Sequence, residues 1–200
     1  MDRLRSPGGC PWDAEQTHAS LAPYALEEAY ELVEAIEVGS RDDLLEELGD
    51  MLLQVVFHAR LAEEDPAAPF DIEAVANACA DKLVERHPHV FADGDAQTAG
   101  EVSARWDEIK KSTKGRESVF DGVPVGQSAL ARAQKVASRA AKAGIEVPVD
   151  AGGAVGDALL EVAVRAQADG VDAEAALRAA VRRYEDAARF AERAATAASD

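Results

Sequence analysis

The sequence predicts an all-α protein built of helical hairpins. Three observations carry this. Ala, Leu, Glu and Arg abound, and they lose little side-chain freedom in a helix. β-branched runs bounded by turn residues, the mark of strands, are scarce. Apolar residues recur at helical spacing between Gly, Pro and Ser breaks.

Ser6-Pro7-Gly8-Gly9-Cys10-Pro11 reads as a loop, with Asp13 a candidate cap for a short helix behind it. A helix follows over 23–38, with Pro23 near its first turn and Leu26, Tyr30, Val33 and Ile36 on one stripe. Gly39 ends it and Ser40 can cap the next, over 41–64. That helix carries Leu44, Leu45, Leu48, Leu52, Val55, Val56 and Ala59, a stripe wide enough to be buried on more than one side. Asp71 caps a third helix running to Arg86, which His87-Pro88-His89 stops. Further helices are expected over 99–112, 127–143, 154–168 and 172–197, with a Gly- and Pro-bearing linker over 144–153.

The formal net charge of −17 disfavours a nucleic-acid polymer as partner, since phosphate backbones are repelled at long range. A small phosphorylated ligand stays open, because a bound divalent cation inverts the sign of a local site. Cys10 and Cys79 form no C-x-x-C pair, so a zinc site or redox dithiol has no support. No stretch approaches membrane-spanning length and no signal-peptide pattern occupies residues 1–11, so the expected setting is the cytoplasm.

Glu27, Glu28 and Glu31 stand at i, i+1 and i+4, and Glu47 and Asp50 at i, i+3 on the next helix. A short connection makes these helices antiparallel neighbours, so the two acidic sets would repel without a cation between them. Acidic residues ordinarily coat exposed helix faces. Here, however, they sit beside apolar stripes, and Asp50 lies within Leu48-Gly49-Asp50-Met51-Leu52, where an unpaired carboxylate is costly. Gly49 within a helix suggests close approach of something to the backbone. All-oxygen ligation selects Mg²⁺ or Mn²⁺, and no histidine stands three residues after these glutamates as a di-iron site requires. The chemistry indicated is hydrolysis of a phosphoanhydride.

Residues 47–60 align with 154–167. Gly49, Asp50, Leu52, Leu53, Val55 and Ala59 recur as Gly156, Asp157, Leu159, Leu160, Val162 and Ala166, and Asp71-Ile-Glu-Ala74 recurs as Asp172-Ala-Glu-Ala175. Ala154 stands where Glu47 stands in the first copy, and no E-E-x-x-E helix precedes it.

Three segments then carry a resemblance: Gly9-Cys-Pro-Trp-Asp-Ala-Glu-Gln-Thr-His18; Leu26-Glu-Glu-Ala-Tyr-Glu31 with Glu46-Glu-Leu-Gly-Asp50; and Arg86-His-Pro-His-Val-Phe91. The chain resembles the MazG nucleoside triphosphate pyrophosphohydrolases of the all-α NTP pyrophosphatase superfamily. The resemblance implies Mg²⁺-dependent cleavage of NTPs and dNTPs to monophosphate and pyrophosphate, with non-standard or damaged nucleotides among the conceivable targets. It also implies a homodimer whose helices complete a four-helix bundle. Glu27, Glu28, Glu31, Glu47 and Asp50 match the family's metal ligands. Asp81, Lys82 and Arg86 fall where it places polar contacts to metal and phosphates, and Trp12 resembles a nucleotide-facing aromatic.

Lys110 and Lys111 are candidates to neutralise a triphosphate, or equally solvent-exposed lysines near a helix end. Trp106 reads as core, and His87 and His89 as structural caps. The expected organisation is a catalytic domain over 1–120, a connecting helix and linker over 121–153, and a degenerate second repeat over 154–200. Longer family members hold two complete repeats, so one competent site per chain is expected here. Two rivals remain: a non-catalytic acidic module with a structural metal, and a narrower dUTP or dCTP pyrophosphatase.

Overall fold

The computed structural model describes residues 1–93, 98, 100–102, 118–149 and 154–197, with side chains through 193. All regular structure among them is helical. The chain divides into two units, residues 1–107 and 108–200.

The first unit begins with two short helices, α1 (Asp2–Arg5) and α2 (Pro11–Glu15), followed by the long pair α3 (His18–Val38) and α4 (Arg41–Ala62). α5 (Ile72–Arg86) and the single turn α6 (Pro88–Phe91) follow. α3 starts five residues earlier than its apolar stripe indicated, because Thr17 and Ser20 form a reciprocal capping box: the Ser20 amide donates to Thr17 Oγ1 and the Thr17 amide to Ser20 Oγ. Pro23 therefore lies inside the helix. Asp13 lies within α2, whose N-cap is Cys10.

Ser40 and Asp43 close the same kind of box on α4, and these hydrogen bonds hold the Asp43 carboxyl below its ordinary pKa. Between the two helices, Gly39 packs so closely that a β-carbon there would lie 2.7 Å from Ala35 Cα. Only glycine makes this two-residue corner.

α3 and α4 run antiparallel, His18 meeting His58 near the start of α3 and Glu28 meeting Glu47 and Asp50 near its middle. Around the histidine contact, Leu21 (2% exposed), Phe57 and Leu61 form the buried core, with Met1 packed against it. Arg5 locks the N-terminal turns onto this core. Its guanidinium lies 5.7 Å from the Phe57 ring centroid and grips both Glu64 carboxylate oxygens, at 3.1 and 2.8 Å. It also donates to the Asp13 and Gln16 carbonyls. Arg60 joins Asp2 and Glu64 to the same network.

The stripe on α4 is not buried on more than one side. Leu45, Leu48, Leu52 and Leu53 remain open, Leu45 at 72% exposure. Nor does anything approach Gly49: a β-carbon there would meet no atom within 4 Å among the described residues.

The second unit contains α7 (Ala129–Lys142), α8 (Val155–Ala168) and α9 (Ala173–Ala197). α7, expected as a connector, instead packs along α8 and against α9. The buried Gln134 side chain ties it to the α8–α9 turn, donating to the Val171 carbonyl at 2.7 Å and accepting from the Ala173 amide at 2.9 Å. Gly170 in that turn takes φ +71°, the left-handed conformation that favours glycine. The helix expected over 99–112 lies, past residue 102, outside the described residues.

Candidate active site

Acidic residues at i, i+3 on α4 and a glutamate on α3 are brought face to face by the antiparallel hairpin. Glu28, Glu47 and Asp50 each offer a carboxylate oxygen, and these oxygens all lie within 4.8 Å of one another. The three residues are half-buried. Such a group suits one hard divalent cation, which takes several oxygens at once.

Electrostatics report the crowding. Partial burial raises the Glu28 pKa, and the charges of Asp50, Glu31, Glu47 and Glu27 push it the same way. Glu47 is likewise raised, by partial burial first and then by Glu31, Asp50, Glu46 and Asp43. Glu47 Oε2 is buried without a hydrogen-bond partner among the described residues. An orphaned carboxylate oxygen amid like charges is a poor arrangement for protein alone and a good one for a metal ligand. Glu27 and Glu31 stand outside the close trio, exposed, and act on it through their charges.

The remaining predicted residues are dispersed. Asp81 and Lys82 are exposed on α5, and Arg86 is half-buried at its last turn. Trp12 is half-exposed and meets Tyr24 edge-on, with ring centroids 6.0 Å apart. Trp106, Lys110 and Lys111 lie outside the described residues. His87 stands at the N-cap position of α6 without a side-chain cap bond to it, and its Nδ1 contacts the Leu83 carbonyl at 2.6 Å.

Beside the trio, a cleft of about 330 Å³ is lined by His18, Ala25, Met51, Gln54, Val55, His58, Ala59, Phe70 and Val75. Reading the carboxylates alone missed it. Gln54 and His58 stand four and eight residues after Asp50, the spacing that continues one helix face, and this was the available signal.

The sequence model of the MazG nucleotide pyrophosphohydrolase domain matches residues 16–91, a span that contains the carboxylate trio and the cleft. Over 194 residues the chain is 48% identical to the nucleoside triphosphate pyrophosphohydrolase of Mycobacterium tuberculosis, covering 97% of this chain and 56% of that protein. It is 57% identical over 194 residues to a 26.1 kDa protein of the blaB 3′ region in Streptomyces cacaoi, covering 96% and 79%. The chain belongs to the MazG family. With the Escherichia coli nucleoside triphosphate pyrophosphohydrolase this MazG chain shares 49% identity over 150 residues, 73% of its length and 56% of the relative's. It thus spans little more than half of these two named pyrophosphohydrolases. Among its described residues, no helix is long and apolar enough to cross a membrane.

Proposed function

We propose that this chain is a nucleoside triphosphate pyrophosphohydrolase: NTP or dNTP plus water gives the monophosphate and pyrophosphate. The observation that carries the reading is the trio Glu28, Glu47 and Asp50, with its orphaned Glu47 oxygen, inside the segment matched by the MazG domain. Glu28, Glu47 and Asp50 would hold Mg²⁺, or Mn²⁺ in its place, directly. Glu27 and Glu31 extend the ligand set by one helical turn. A cation held there supplies Lewis-acid withdrawal of charge from phosphate oxygens and acidifies water.

The protein's own contributions are to hold carboxylates deprotonated around that charge and to place cations on the far side of the phosphates. Lys82 and Arg86 on α5 are assigned the latter role, with Asp81 as a further polar contact and Trp12 as an outer substrate contact. Residues 1–120 form the catalytic portion in this reading. Residues 154–200 act as scaffold, since Ala154 replaces the first ligand of the second copy. The open leucines of α4 suit a second copy of the chain, completing a four-helix bundle, and sedimentation tests that dimer. The setting proposed is the cytoplasm.

Pyrophosphate release from a panel of NTPs and dNTPs, with and without Mg²⁺, tests the activity. Pyrophosphate should appear only with the metal. Orthophosphate as product, or unchanged turnover in Asp50→Asn, overturns the assignment.

A further inference from the structure

We draw no further inference here: the strongest candidate, the apolar cleft between α3 and α4 lined by Ala25, Met51, Val55 and Phe70, carries nothing because nothing in the structure shows what covers it.

Discussion

Nδ1 of His18 lies 2.8 Å from Nδ1 of His58, and their rings stack 5.0 Å apart with planes 1° from parallel. One proton can serve that contact; two would place like charges against each other. Burial, and then the charge of His18, holds the His58 imidazole below its ordinary value near 6.5. The unfolded chain therefore binds more protons in the interval between the lowered value and about 6.5. Stability is full above that interval and lost as pH falls through it. Thermal unfolding from pH 7.5 down to 5.5 should show a falling midpoint, and His58→Gln should flatten that decline. An equally steep decline in the variant would show that other groups cause it.

Two carboxylates of the trio have the opposite sign. Glu28 and Glu47 are raised, so in the absence of metal their contribution is present at low pH and shrinks as pH rises through and above the carboxylate range. Glu28→Gln should raise the thermal midpoint of the metal-free protein at pH 7 while abolishing its response to Mg²⁺. In the wild type, free Mg²⁺ at a hundred times its Kd should add about 2.7 kcal/mol. A Mg²⁺-induced shift that survives in the variant would place the ion elsewhere.

Activity should depend on the same oxygens. Asp50→Asn and Glu47→Gln should each lower kcat/KM at least about a hundredfold, with far-ultraviolet dichroism unchanged. In contrast, Ala154→Glu restores one acid to the second copy without the glutamate helix before it. It should leave turnover monophasic in Mg²⁺ concentration, and a second metal-dependent phase would show that the second copy can be revived.

In the second unit, Gln134 satisfies one part-buried carbonyl and one buried amide across the α8–α9 turn. Gln134→Leu would strand both and should cost about 2–3 kcal/mol, read from denaturant midpoints. Gln134→Glu keeps the acceptor for Ala173 but turns a carboxylate oxygen toward the Val171 carbonyl, so it should cost at least as much.

Helix identity and the pairing of α3 with α4 were legible because hydrophobic period, serine caps and a Gly-Ser corner all act locally. Asp71 was readable as a cap for the same reason, and its side chain accepts from the Ala74 amide at 2.8 Å. Asp172 repeats this at Ala175, 2.9 Å, so the two copies share a local device although Ala154 brings no carboxylate. Within the site, the sequence spacing grouped Glu28, Glu47 and Asp50 with the other two acids, setting Glu28 only at the flank of Glu27 and Glu31. It could not separate them from Glu27 and Glu31, because which oxygens converge depends on helix rotation. The His18–His58 contact and the Arg5–Glu64 grip were illegible, since they join residues 40 and 59 positions apart and no periodicity links them. The open leucines of α4 were misjudged because amphipathic width says how much surface is apolar and not what covers it.

The grip of Arg5 on Glu64 also bears on the order in which the chain assembles. The α3–α4 hairpin closes across a two-residue corner, so its contacts are local and can form early. The guanidinium instead closes a loop 59 residues long and needs α4 already complete to offer Phe57 and Glu64 together. The grip is expected to form after the folding barrier is crossed. Removing it by Arg5→Ala should leave the folding arm of a chevron nearly in place and steepen escape from the native state, so that Arg5 governs how long the enzyme stays folded more than how fast it folds.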